Sequence, residues 1–323
     1  MKHLLFIINP NAGKSAIRND LFDIIQIFQN GGYEVVTYFT TGPDDAERKV
    51  IADGGAYDLI VCAGGDGTLN NTIRGYMSMG EKKTPIGYIP VGTTNDFAKS
   101  LNISFKPIEA AQQIMRGEDT GIDVGSFAEK NFIYIAAFGV FTDISYSTKQ
   151  SLKKVMGHTA YIVEAVRNAM NYKPFTMRAE FDGNVISGDY IFGMVTNSLS
   201  VAGFKIRGAK HVVFDDGKFD CLFIRMPTTV EEFQIAITGM LTNNITDNDL
   251  FYLTKASHVK IESEQVIPWT IDGEFGGDYK NVEIDNHLKA VSLRIDREAA
   301  PGNLGVDPNA QVITPIFKDE ENQ

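Results

Sequence analysis

The stretch DLIVCAGGDGTLNN, residues 58–71, opens as one kind of structure and closes as another. Leu59–Ala63 is a short apolar run bounded by turn residues, the pattern of a strand covered on both faces. Gly64, Gly65 and Gly67 follow, with one carboxylate, Asp66, set among them, and then Thr68, Leu69, Asn70 and Asn71. Glycine lets the backbone turn tightly and approach a ligand with no Cβ in the way. Successive N–H groups in such a turn, joined to the N-terminus of the next helix, attract anions. Asp66 would repel a bare phosphate but suits one that arrives with Mg2+, whose charge a carboxylate can help to hold. The same residues also make a plain strand-to-helix turn with Asp66 as its N-cap. On this stretch alone both readings stand.

Two further turns tilt the balance. After the apolar run Ile86–Ile89 comes PVGTTNDFAKS, in which Gly92, Thr93, Thr94, Asn95 and Asp96 lead into a helix. The first apolar run ends in NPNAGKS, residues 9–15. Loops that leave neighbouring parallel strands meet at one carboxyl edge, where open α/β sheets bind ligands. AGKS is not a P-loop, because that motif requires glycine at position 8, which is Ile8, and Pro10 interrupts the loop. No segment carries a dinucleotide G-x-G-x-x-G between strand and helix.

Outward from these turns, the first third alternates the two periodicities. Strands are expected at His3–Ile8, Glu34–Phe39, Leu59–Ala63 and Pro85–Ile89. Helices are expected over Ala16–Gln29, Asp44–Asp53, Thr68–Met79 and Asp96–Leu101. This order predicts a mostly parallel sheet flanked by helices. Beyond residue 122 short strands take over, at Gly125–Phe127, Phe132–Phe141, Thr176–Phe181, Tyr190–Thr196, Phe219–Arg225, His258–Glu262, Trp269–Ile271 and Ala290–Ile295. A long helix over Ser145–Asn171 is the exception. The expected plan is an α/β domain over residues 1–123, a β-rich, sandwich-like domain over 124–296 and a tail over 297–323. Residues after about 296 are candidates to complete the first domain.

Composition bounds the partners. The 323 residues carry a formal charge of −11, which argues against nucleic acid as a partner. Cys62 and Cys221 each sit in an apolar run and read as buried free thiols. Leu4–Ile8 gives only five consecutive apolar residues, too few for a signal sequence, and Phe132–Phe141 falls short of the ~20 residues that span a bilayer. A cytoplasmic protein is the expectation.

Asn9-Pro10-Asn11-Ala12-Gly13, Gly64–Thr68 and Gly92–Ala98, followed late in the chain by Asp272-Gly273-Glu274, resemble the diacylglycerol kinase catalytic family. The likeness is to its soluble bacterial lipid kinases, relatives of the sphingosine and ceramide kinases, and it covers roughly residues 1–297. It implies an ATP-dependent kinase that phosphorylates a lipid hydroxyl, with diacylglycerol the leading acceptor. It also implies that Asn9, Pro10, Asn11, Ala12, Gly13 and Thr40 line the ATP site. Gly65, Asp66, Gly67, Thr68, Leu69, Asn70, Asn71 and Thr93 would meet the nucleotide phosphates. By the same resemblance Glu274 is the base, Asp66 and Asp96 organise Mg2+ and the reacting groups, and a structural Mg2+ sits on Asp216 with the main-chain oxygens of Val213 and Lys218.

The chain departs from the family pattern at Asn71, where a glutamate is usual, and it lacks a proline often found ahead of the metal turn. Asp123 is a candidate either for the site or for the domain junction. A lipid acceptor implies peripheral contact with the membrane's inner face. Lys149, Lys153, Lys154 and His158, or Lys205, Arg207 and Lys210, are candidate contacts, equally readable as solvated charge. A homodimer is plausible by the same resemblance. Two rival functions remain at this point: an NAD kinase-like enzyme, or a catalytically silent lipid- or nucleotide-binding regulator.

Overall fold

A computed structural model describes residues 1–80, 83–93, 95–140, 172–197, 200–201, 204–205, 214–242, 245 and 248–299. Strands β1 (Lys2–Ile8), β2 (Tyr33–Phe39), β3 (Leu59–Gly64) and β4 (Ile86–Pro90) run parallel in the order β2-β1-β3-β4. Alternate residues of β1 feed opposite cores: Leu4, Phe6 and Ile8 meet Phe28 and Ile114, while Leu5 and Ile7 meet Leu69 and Ile73. Both faces are therefore buried, as the unbroken apolar runs require. Helices α1 (Leu21–Asn30), α2 (Asp45–Asp53), α3 (Asp66–Ser78), α4 (Asp96–Ser100) and α5 (Pro107–Arg116) complete this half.

The rest is antiparallel. It comprises β5 (Glu118–Phe127), β6 (Lys130–Phe132), β7 (Ile135–Gly139), β8 (Phe175–Phe181), β9 (Asn184–Thr196), the two-residue pieces β10 (Ser200–Val201) and β11 (Phe204–Lys205), and β12 (Phe219–Arg225). After helix α6 (Val230–Thr242) come β13 (Phe251–Ala256), β14 (His258–Ile271) and β15 (Glu274–Ile295). Strands β14, β7, β9 and β8 pair in a closed ring, a small barrel. Its core holds Trp269, with the rings of Phe127 and Phe138 at 4.8 and 4.9 Å. The α/β half followed by a β-rich half is the architecture expected. The two halves share one sheet, because the far end of β15 reaches β4 in parallel at Leu293 beside Ile86.

Several elements differ from expectation for identifiable reasons. The helix expected over Ala16–Gln29 divides into a 3-10 turn, Ala12–Arg18, and α1. The strand expected over Phe132–Phe141 is interrupted at Ile133 and Tyr134, whose N–H groups bond to the Asp272 carboxylate instead of a neighbouring strand. His258–Glu262 and Trp269–Ile271 belong to one strand, β14, and Ala290–Ile295 is the end of the 22-residue β15. The polar stretch Ser263–Gln265 breaks the apolar pattern there; Ser263 still pairs with Met177 of β8, while the register with β15 shifts between Glu262 and Ile267. Helix α5 went unexpected although Pro107 occupies its first turn and Ala110, Ala111 and Ile114 form its buried stripe. The helix expected over Ser145–Asn171 and the tail from residue 300 lie outside the described residues, as do Lys149, Lys153, Lys154, His158, Arg207, Lys210 and the side chain of Lys205. Among the described residues no helix is long and apolar enough to cross a membrane.

Candidate active site

The three glycine turns meet at the carboxyl ends of β1, β3 and β4. After β1, Asn9 anchors its loop twice: its N–H bonds to Ala63 O at 2.9 Å, and its Nδ2 donates to Thr68 Oγ1 at 3.1 Å. Asn11 N donates back to Asn9 Oδ1 at 3.0 Å, so Pro10 sits in a closed turn ahead of Ala12 and Gly13. Gly13 is left-handed at φ +53°. Thr40, past the end of β2, donates its N–H to Ile8 O at 2.9 Å and so borders the same rim.

Gly65, Asp66, Gly67, Thr68, Leu69, Asn70 and Asn71 form the corner and first turns of α3. The glycines answer to crowding. A Cβ on Gly64 would collide with the Thr68 side chain, and one on Gly92 would collide with Gly65 Cα, so the β3 and β4 loops touch backbone to backbone. Asn95, left-handed at φ +49° and buried, ties the second loop: Gly92 N donates to its Oδ1 and its Nδ2 to Gly92 O, both at 3.0 Å. The Tyr88 hydroxyl lies 3.3 Å from both Asn95 Oδ1 and Gly64 O, which binds that turn to β3. Thr93 stands exposed on the same loop, and Thr94 lies outside the described residues.

Asp66 joins these loops. Its Oδ2 accepts the N–H of Asp96 at 3.2 Å and its Oδ1 that of Phe97 at 3.4 Å. Burial pushes its pKa upward, those two N–H groups pull it down, and the charge of Asp96 raises it again. Asp96 is itself buried and pairs with Lys99 Nζ at 2.9 Å. The cap reading is corrected by the structure: Gly65 stands at the N-cap position of α3, with no side-chain cap bond. Asp66 bonds instead to the start of α4, and it stands beside a second acid.

Glu274 comes from the other half. It opens β15 directly after the left-handed pair Asp272 and Gly273, φ +47° and +85°. Its Oε1 lies 3.6 Å from the place a Cβ on Gly67 would occupy, so the C-terminal hairpin delivers a carboxylate onto the corner of the glycine turn. Both Gly67 and Glu274 are exposed. The buried Tyr134 phenol lies among these acids. Burial first, then the charges of Asp272, Asp66, Asp96 and Glu274, push its ionisation upward.

The Asp-Asp-Gly turn forms a second acidic group. Asp216 Oδ1 accepts the N–H of Lys218 at 3.0 Å, and its Oδ2 lies 3.1 Å from Lys255 Nζ. Asp220 Oδ2 is buried 3.6 Å from the same ammonium, too long for a hydrogen bond. Burial, against the pull of Lys255 and with a push from Asp216, takes the Asp220 pKa up to about 6. Asp215 pairs with Lys289 at 3.5 Å. Asp123 is wholly buried and braces this turn, accepting Gly217 N at 2.6 Å and Lys289 N at 2.7 Å. Both its oxygens are thus engaged at the junction. Carboxylates outnumber ammonium groups here, and an orphaned buried oxygen is available, a donor set that suits a hard cation. Among the described residues no ready-made cage of three His, Cys, Asp or Glu side chains is present, so main-chain oxygens would have to contribute. Val213 lies outside the described residues.

Sequence reasoning names Asp272 within the Asp-Gly-Glu motif and gives it no role. In the structure it is a buried hub that accepts N–H groups from Ile133, Tyr134 and Ile135 and the side-chain amide of Asn70. Burial takes its pKa up to about 7 against the pull of the three main-chain N–H groups, with Asp66 adding to the rise. The Asp-Gly pair marks a hairpin, but nothing in it signals a bond from residue 272 to residue 70.

A diacylglycerol kinase from Bacillus subtilis is 33% identical over 279 residues, covering 86% of this chain and 91% of that protein. The chain belongs to the diacylglycerol kinase family. This kinase, a phosphotransferase by that membership, matches the family model for the diacylglycerol kinase catalytic domain over residues 3–127. Residues 137–304 match the YegS C-terminal NAD kinase beta sandwich-like domain. A diacylglycerol kinase from Staphylococcus carnosus is 30% identical over 280 residues, 85% of this chain and 90% of that one. Among solved structures, a diacylglycerol kinase from Bacillus anthracis superposes with a TM-score of 0.72 at 20% identity, over 92% of this chain and 98% of that chain. An Archaeoglobus fulgidus NAD kinase in complex with ATP gives 0.50 at 12% identity, over 92% and 95%. These two likenesses concern the fold.

Proposed function

We propose that this kinase transfers the γ-phosphoryl group of ATP to the primary hydroxyl of diacylglycerol, with Glu274 as the base. The observation that carries this reading is the approach of Glu274 Oε1 to the Gly67 corner, where a C-terminal carboxylate meets the N-terminal anion-binding turn. A phosphoryl transfer asks mainly for positioning and charge stabilisation. The main-chain N–H groups at the start of α3 and the Asn9–Gly13 loop are suited to the phosphates. The acceptor hydroxyl loses its proton to Glu274 as its oxygen bonds to phosphorus, and the bond to the ADP oxygen breaks. Mg2+ bound with the nucleotide would neutralise phosphate charge, and Asp66 and Asp96 are the carboxylates suited to it or its waters. A structural Mg2+ would be held by Asp216 and the main-chain oxygen of Lys218. The curated relatives named diacylglycerol kinase support diacylglycerol as the acceptor. A lipid acceptor brings the protein to a membrane surface, and a homodimer remains part of this proposal.

The test is an ATP-consumption assay with diacylglycerol, a sphingoid base, undecaprenol and NAD side by side. Diacylglycerol in vesicles should give the highest kcat/KM, and a higher value for any other acceptor overturns the substrate. Glu274→Gln should lower turnover ~10²–10⁴-fold with an unchanged fold. Full activity in that variant removes the base.

A further inference from the structure

The hairpin that carries Glu274 is fastened at its root, and the fastening crosses between the two halves. Asp272 stands two residues before Glu274. Its Oδ1 accepts the N–H groups of Tyr134 at 3.1 Å and Ile135 at 3.0 Å. Its Oδ2 accepts the N–H of Ile133 at 2.8 Å and the Asn70 Nδ2 at 2.9 Å. Asn70 lies on α3, one helical turn past Gly67. We propose that Asn70 and Asp272 act as a positioning pair, a latch from α3 to the hairpin that sets where Glu274 stands relative to the glycine turn. The proposal rests on the reading of Glu274 as the base.

Three features carry it. First, α3 bears both the Gly67 corner and Asn70, so one bond from this helix to Asp272 fixes the base against the turn it faces. Second, the hairpin has little slack. Asp272 and Gly273 are both left-handed, and three main-chain N–H groups already hold the Asp272 carboxylate, so Glu274 follows any shift of that carboxylate. Third, Asn70 makes this bond at the expense of another. Its Oδ1 is buried with no hydrogen-bond partner, and turning the amide over would set that oxygen against a carboxylate. The donor of Asn70 is thus committed to Asp272. Asn70 acts on turnover through Glu274, where the family resemblance by itself implies a phosphate contact.

Steady-state kinetics with ATP and diacylglycerol vesicles test the latch in Asn70→Ala, Asp272→Asn, the double variant, and Asn70→Ala placed in Glu274→Gln. A displacement of about an ångström costs up to ~10²-fold, so Asn70→Ala should lower kcat ~10–100-fold, with the KM for ATP changed less than about twofold. The double variant should fall no more than about threefold below the lower single one, because either change opens the same bond. In the Glu274→Gln background, Asn70→Ala should cost less than about threefold, since no base is left to misplace. A raised KM for ATP at unchanged kcat assigns Asn70 to the nucleotide and overturns the latch. So do losses that multiply in the double variant, or an equal loss from Asn70→Ala in both backgrounds. If Asp272→Asn does not fold, the two Asn70→Ala comparisons decide alone. Full turnover in Glu274→Gln by itself sinks the base assignment, a failure distinct from that of the latch.

Discussion

Gly64–Thr68 and Asp272–Glu274 are both short turns built from glycine and acid, and they work by different physics. The first is tight because of crowding: main chain lies against main chain at Gly65 and Gly92, and the Thr68 side chain fills the space beside Gly64. Its acid, Asp66, accepts N–H groups from Asp96 and Phe97 in the same half. The second is tight because of conformation. Asp272 and Gly273 are left-handed, and the atom nearest a Cβ on Gly273 is Tyr134 Oη at 3.4 Å. Its acid bonds within its own half and also reaches Asn70 in the other. One turn packs the glycine loops of the N-terminal sheet together. The other sets the halves against each other. Equal composition does not imply equal function, and what separates the two is the segment that supplies the N–H groups.

The largest effect should come from charge. Asp66→Asn keeps the size of the side chain but removes the carboxylate, and turnover should fall by ~10²-fold or more. A variant with full turnover would reduce Asp66 to a brace between loops, as Asp272 is a brace between halves. Crowding comes next. Gly92→Ala must push the Gly65 backbone aside and should cost about 1–3 kcal/mol in urea unfolding. Gly273→Ala tests the other mechanism. Only the left-handed backbone opposes it, so it should cost about 1–2 kcal/mol, and Gly273→Asn less, because asparagine enters that region more readily. A Gly273→Asn variant as unstable as Gly273→Ala would show that space, not backbone geometry, governs this turn too.

Asp272 itself predicts a pH slope. Asp272 rises from 3.8 to about 7 on folding, so between those values the folded chain binds more protons than the unfolded one. Stability supplied by this group is therefore whole below about pH 4 and is lost as pH rises toward 7. Unfolding free energies of the wild type relative to Asp272→Asn should decline across that window and level off above it. A flat difference would mean that Asp272 titrates alike in both states.

Much of the N-terminal half was legible because apolar runs of five or six residues between glycine turns admit few readings. Asn9, Asp66, Gly67 and Asp96 stand out in such a pattern by residue type alone. The C-terminal half was harder to read. Polar residues interrupt the apolar periodicity of β14 and β15, and the register between them shifts between Glu262 and Ile267, so long strands read as separate short ones. Asp123 shows a different limit. GIDVG reads as a turn or a site, and only the fold reveals that its two oxygens hold Gly217 and Lys289, residues far along the chain. Asp272 and Asn70 are separated by 202 positions, and no local pattern announces their bond.

Strand β15 begins at the acid over the glycine turn and ends beside β4 in the N-terminal sheet. Its last residues, Val291–Ile295, also pair with the opening stretch of β5, Glu118–Ile122. During synthesis, then, the first half leaves the ribosome with one border unsealed, and the piece that seals it is made only after the other strands of the β-rich half. A truncated message would yield a sheet with a bare margin, prone to stick to others like it. Aggregation of a 1–127 fragment, relieved by supplying residues 280–299 as a separate peptide, would be the cellular signature of that late closure.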